Sequence, residues 1–226
     1  MNTLLEKLES ISSTAISILD SDIAIDAYVP INLSKSNSEL IGLEITNYHI
    51  CQTYIDKILK ARNGKVAYGG YLEERNLYSD KVSFTSDGNH IRNVHLGIDF
   101  WCSAETMVKV PLTGKVHSFK NNYTIGDYGP TIVLEHVLDD ETFYTLYGHL
   151  TLDSLDGLFI GKEFTSGETL GRLGTPDINV NYAPHLHFQI IRDLEGKQGD
   201  YPGVCAKEQI SFYQENCPDP NVLLKL

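Results

Sequence analysis

Two histidines flank one leucine in NYAPHLHFQI, residues 181–190. On a strand, successive side chains point to opposite faces, so His185, His187 and Gln189 line one face while Leu186, Phe188 and Ile190 line the other. HLGIDF, residues 95–100, repeats that grammar with His95, Gly97 and Asp99 on one side. A fully extended chain sets the alpha carbons of His95 and Asp99 about 13 Å apart. Shared ligation of one ion at ~2 Å per bond limits that span to about 11 Å. The backbone must therefore bend, and Gly97 is the residue that lets it. His95, Asp99 and one histidine of HLH then supply three mixed nitrogen and oxygen donors with a fourth position open, the pattern of catalytic rather than structural zinc. Such an ion acidifies a bound water and polarises a carbonyl. The remaining histidine is placed to handle protons. His149, at the end of TFYTLYGHL, forms with His185 a pair suited to activating the water and steadying an oxyanion. His117 and His136 lack a partnering motif and read as ordinary structural residues, and His90 reads as a loop residue.

The elements that must carry these groups change in character along the chain. Thr3 and Glu6 form a capping box, and Leu4, Leu8, Ile11 and Ala15 follow at helical spacing, which predicts a helix to about Leu19. Cys51, Tyr54, Ile55, Ile58 and Leu59 mark a second amphipathic helix that stops near Gly64. AIDAYVPINLSKSNSEL, between them, reads as extended or irregular. Residues 1–80 are thus expected to form a mostly helical N-terminal region. From 81 to 226 the grammar is of short β-type runs: HLGIDFW, TGKVHSFK, GPTIVLEHV, TFYTLYGHL, ETLGRLG and HLHFQII. Without long helical patterns between them, they predict an antiparallel sheet or sandwich rather than βαβ units. The expected class is α+β with a mainly antiparallel β core. GDYPGVC and ENCPDPN are expected to pack over it as irregular chain.

Eighteen basic against thirty acidic residues give a net charge of −12, which disfavours nucleic acid and anionic polymers as partners. A small neutral or cationic partner fits better. No apolar run approaches the ~18 residues of a membrane span. The opening MNTLLEKLESISSTAISILD does not read as a secretory signal, so a cytoplasmic location is expected. Cys51, Cys102, Cys205 and Cys217 form no C-x-x-C and are expected to be reduced, a Cys205–Cys217 disulfide requiring an extracytoplasmic setting.

HLGID (95–99), YGHL (147–150) and HLH (185–187) together resemble the signature of the lysostaphin-type, or LytM-like, zinc metallopeptidases, in family order. PLTGKV and GETLGRLG fit the same pattern, and the resemblance covers about residues 90–192. It implies a LytM-like β core, zinc held by His95, Asp99 and His187, and His149 and His185 as the catalytic pair. It implies hydrolysis of a peptide or amide bond, in most members within peptidoglycan peptides, and needs no H-E-x-x-H. TPDINVNYAP, residues 175–184, departs from the short Gly/Ser-rich loop usual before H-x-H and predicts a differently lined groove. HLGIDFW, GDYGPTIVLEH, FYTLYGHL, GDYPGVC and CPDPN are also similar to the LytM-like module of fusion proteins that carry a phosphotransferase and a class III aminotransferase. Two other readings accompany the peptidase: a binding or regulatory module that keeps the metal without turnover, and a latent enzyme whose N-terminal region covers the groove.

Overall fold

The computed structural model describes residues 3–77 and 91–226, so His90 and the expected boundary at 80/81 lie outside the described residues. In chain order the elements are α1 (Leu4–Ser10), β1 (Tyr28–Pro30), α2 (Tyr48–Arg62), β2 (Val66–Gly69), β3 (Val94–His95), β4 (Ile98–Trp101), β5 (Met107–Lys109), β6 (Gly114–Asn122), β7 (Gly129–Leu138) and β8 (Glu141–Gly148). They continue with β9 (Glu163–Phe164), β10 (Thr169–Arg172), β11 (His185–Ile191), β12 (Val204–Cys205), α3 (Ile210–Asn216) and α4 (Asn221–Leu224). The fold is α+β and mostly sheet. Eight strands run in the order β1-β2-β4-β11-β8-β7-β6-β9, and β10-β5 and β12-β3 form two small ribbons. Pairing in the large sheet is antiparallel except between β1 and β2.

All six β-type runs read from the sequence contain strands. β11 is buried along its whole length. Its Leu186, Phe188 and Ile190 join Phe100 of β4 and Tyr147 of β8 in the largest apolar cluster, leaving His185, His187 and Gln189 on the opposite face. A one-residue slip of β11 would exchange the two faces. Expelling three large apolar side chains from that cluster would cost roughly 6 kcal/mol at about 2 kcal/mol each, so the oily face fixes where the histidines stand.

The N-terminal part is less helical than expected. α1 ends at Ser10 rather than near Leu19, because Ser12 captures local bonds, its hydroxyl donating to the Thr14 carbonyl at 2.7 Å and accepting the Thr14 N–H at 3.1 Å. Leu19 instead bridges to Val108. α2 forms as expected, but Asn63, at φ +52°, supplies its left-handed cap in place of Gly64. β1 and β2 extend the main sheet, Gly69 pairing with Asp99. The C-terminal stretch is also more regular than expected, with β12, α3 and α4. No helix of the described residues is long and apolar enough to cross a membrane.

Candidate active site

β4, β11 and β8 lie side by side, with Asp99 opposite His187 and His187 opposite Gly148. The chain bends at Gly97 between β3 and β4, so His95 and Asp99 come from different sheets and converge. Glycine is required there by a close approach rather than by a left-handed backbone: a β-carbon would lie 2.5 Å from the Phe188 carbonyl oxygen and 2.9 Å from the His187 ring. His95 Nε2 lies 2.9 Å from His187 Nδ1 and 3.2 Å from Asp99 Oδ1, and His187 Nδ1 lies 3.0 Å from Asp99 Oδ1.

The outer partners decide the tautomers. His95 Nδ1 faces the Gly70 carbonyl at 3.0 Å, and a carbonyl only accepts, so the proton is on Nδ1 and Nε2 is bare. Gln189 donates its amide to the Pro202 carbonyl and to Cys217 Sγ, which turns its oxygen toward His187 Nε2 at 3.0 Å and leaves His187 Nδ1 bare. Two imidazole lone pairs and a carboxylate oxygen therefore meet about 3 Å apart, an arrangement that repels itself unless a cation sits among them. Bonds of ~2 Å in tetrahedral geometry would separate the donors by about 3.3 Å. The donor set fits a zinc-like ion, with each histidine held by a carbonyl-type oxygen behind it. Among the described residues no further His, Cys, Asp or Glu joins the group.

Burial pushes the His95 imidazole down to about 4, so it is neutral and able to ligate at pH 7. Burial alone would raise Asp99, but its surroundings, which include the permanently charged Arg75 guanidinium, hold the carboxyl well below its usual range.

His149 follows β8 with φ +65°, a left-handed backbone uncommon outside glycine. Its N–H donates to the Tyr128 carbonyl at 2.8 Å and its carbonyl accepts from Gly174 at 2.9 Å, and these two bonds fix the turn. The ring then lies 4.1 Å from that of His185, centroid to centroid. His149 Nδ1 is buried and has no hydrogen-bond partner among the described residues, a feature that concentrates at working sites. His185 donates Nδ1–H to the Ala183 carbonyl at 2.7 Å, and its bare Nε2 stands 4.0 Å from Asp99 Oδ1. Burial lowers the basicity of both rings, so both are neutral at pH 7. The five residues form one constellation at the floor of a cleft of about 250 Å³. Tyr128 and Tyr182 wall it, their rings turned toward His149, and Tyr182 comes from the loop of residues 175–184.

His136 and His117 stand apart, as expected. His136 donates to the Thr113 carbonyl and lies 2.7 Å from Thr145 Oγ1, while His117 pairs with Ser118. All four cysteines are free thiols. Sequence reading missed Arg75, whose Nη1 donates to Asp99 Oδ2 at 2.5 Å, and the orienting role of Gln189. The period-two alternation already put Gln189 on the histidine face; Arg75 sits in no spacing pattern.

Three solved structures similar to this chain illustrate its likenesses. A protein from Pseudomonas aeruginosa described as a peptidase M23 is 21% identical, with 57% of this chain and 43% of that chain covered and a TM-score of 0.39. The chain thus spans less than half the length of that protein. The catalytic domain of the antimicrobial peptidase lysostaphin from Staphylococcus simulans is 24% identical, covering 54% of this chain and 80% of that one, with a TM-score of 0.37. The catalytic domain of a variant of the prophage-encoded M23 protein EnpA from Enterococcus faecalis is 19% identical, covering 51% and 81%, with a TM-score of 0.38. No curated protein matches the chain. Residues 93–200 match the family model described as Peptidase family M23, and that one stretch holds His95, Asp99, His149, His185 and His187.

Proposed function

We propose that this chain is a zinc-dependent peptidase that hydrolyses a peptide or amide bond. The observation that carries the reading is the coincidence of the Peptidase family M23 match with three buried donors whose bare lone pairs meet about 3 Å apart. His95, Asp99 and His187 hold the ion. Zinc, when bound, supplies a Lewis acid that brings the pKa of a coordinated water to about 7 and polarises a substrate carbonyl.

The protein's own groups then move the protons. His185, with Nδ1–H fixed on the Ala183 carbonyl, accepts the nucleophile's proton at Nε2 and returns it to the leaving amine. His149, neutral and without a competing partner at Nδ1 among the described residues, orients the nucleophile and donates a hydrogen bond to the developing oxyanion. Tyr128 and Tyr182 hold the substrate backbone in the cleft and limit water.

The substrate class is a peptide, peptidoglycan-type peptides included, and the net charge of −12 favours neutral or cationic peptides over nucleic acid. Kinship with the module of phosphotransferase and aminotransferase fusions belongs to the same proposal and rests on the stretches quoted above, as does the division near residue 80. A reducing, cytoplasmic setting accords with the free Cys205 and Cys217 thiols. The test is metal analysis of the purified chain together with digestion of a panel of D-alanyl, glycyl and ordinary L-linked peptides. One zinc per chain and cleavage of at least one class is expected, and alanine at His95 or Asp99 removes both. Bound zinc with no cleavage of any class would leave a metal-holding module and refute the enzyme.

A further inference from the structure

Residues 70–75, which follow β2, lie outside the matched stretch, yet they contact two of the three donors. The Gly70 carbonyl accepts the Nδ1–H of His95 at 3.0 Å, and Arg75 Nη1 donates to Asp99 Oδ2 at 2.5 Å. Between these contacts residues 70–75 are laced to β3 and the residue before it: the Leu72 N–H donates to the His95 carbonyl at 2.8 Å, the His95 N–H to the Glu73 carbonyl at 3.0 Å, and the Arg75 N–H to the Asn93 carbonyl at 2.9 Å. The Arg75 side chain is fully buried, where a guanidinium is costly unless paired. Its Nε donates to Glu73 Oε2 at 2.6 Å, and Glu73 Oε1 accepts the Leu33 N–H at 2.8 Å. Gly70 leaves the space this requires: at φ +107°, a β-carbon there would fall 1.8 Å from Arg75 Nη2 and 3.0 Å from His95 Nδ1. Arg75 also lies over the Trp101 ring, whose other neighbour is the near-parallel ring of His185.

A carboxylate with one oxygen held by a charge-assisted bond presents only the other to an ion. Oδ2 of Asp99 is held by Arg75, and Oδ1 is the oxygen that faces His95 and His187. We infer that Gly70–Arg75 is a working part of the metal centre, with Arg75 a positioning residue that makes Asp99 a one-oxygen ligand. The inference rests on the reading that the three donors hold a metal. Residues 70–75 of the N-terminal region thereby act as a support of the site rather than as a cover over its groove.

The experiment measures zinc affinity by chelator competition, and the visible absorption of the cobalt-loaded form, for the full chain and for Arg75→Met, Arg75→Lys and Glu73→Gln. Arg75→Met is expected to bind zinc about 10–100-fold more weakly and to shift the cobalt bands as Asp99 changes its mode of binding. Arg75→Lys, which keeps the charge but not the fork, restores part of the affinity. Glu73→Gln gives a smaller loss of the same kind. Wild-type affinity and cobalt spectrum in a folded Arg75→Met overturn the inference. If Arg75→Met does not fold, wild-type values in both other variants overturn it equally, and weakened binding in them supports it. A wild-type chain that takes up neither zinc nor cobalt refutes the metal reading and the inference with it, whereas tight wild-type binding shared by every variant refutes the inference alone.

Discussion

His149 and His185 share a cleft but differ in how the chain commits them. His185 has one nitrogen fixed on a carbonyl, so its tautomer is set and its other nitrogen is a base. His149 is held by its backbone, in a left-handed turn, while its Nδ1 has no partner among the described residues. Replacing His149 removes no donor from the cluster of His95, Asp99 and His187. His149→Ala is therefore expected to keep its zinc while turnover falls by about 10²–10⁴-fold, the usual range for a lost acid–base group. Metal analysis beside steady-state rates checks this, and a metal-free variant would make His149 a ligand. The meeting of the two rings was legible because His149 follows a strand and His185 opens one, both positions that sequence spacing can place. The left-handed turn was not, since neither Gly148 nor Leu150 signals it.

The bend at Gly97 shows how a strand break serves the chemistry. β3 and β4 could have been one continuous strand, and the span from His95 to Asp99 would then have kept their side chains from a common ion. The bend lies where the His95-to-Asp99 span requires it, but glycine is needed there less for its backbone freedom than because the Phe188 carbonyl oxygen would lie 2.5 Å, and the His187 ring 2.9 Å, from a β-carbon. A neighbour 90 residues away leaves no mark on local spacing. Gly97→Ala is therefore expected to push His187 off its line to Asp99, destabilising the fold by about 1–3 kcal/mol and weakening zinc binding even where the fold survives. Urea unfolding and chelator competition on the same variant separate the two effects, and wild-type values in both would show that the sheet yields without disturbing the site. The strands themselves were legible through period-two alternation, and the meeting of His95 and Asp99 with a histidine of HLH through the spacing of H-x-x-x-D and H-x-H, whereas the choice of His187 came from the family resemblance. What escaped was long-range: Arg75 reaching Asp99 from before β3, and β1 and β2 joining a sheet whose other strands begin at residue 98. The overlong first helix has a local cause, since its apolar periodicity runs through Ser12, Ser13 and Thr14, and the Ser12 hydroxyl takes up both the N–H and the carbonyl of Thr14.

One sheet runs from β1 near the N-terminus to β9, and α4 near the C-terminus packs in the same apolar cluster as α1, so the described chain is tied end to end. Unfolding that sheet exposes polar groups as well as apolar ones, and His136 of β7 is the clearest case outside the cleft. It is buried, it donates to the Thr113 carbonyl and stacks on Phe143, and burial pushes its imidazole from 6.5 down to about 4. Between those values the unfolded chain binds a proton that the folded chain refuses, so stability is full above about 6.5 and falls as the pH drops toward 4. At 1.36 kcal/mol per pH unit, this one residue removes roughly 3 kcal/mol across the window. The expected result is a urea midpoint that declines from pH 7 to pH 4.5 in the wild type and declines less in His136→Gln, which retains a donor for Thr113 but cannot take up the proton. His136→Gln begins less stable at pH 7 because the ring's packing against Phe143 is lost, so the comparison is of slopes, not of midpoints. Parallel slopes would mean that His136 is protonated as readily inside the fold as outside it, and that the acid sensitivity of the sheet lies elsewhere.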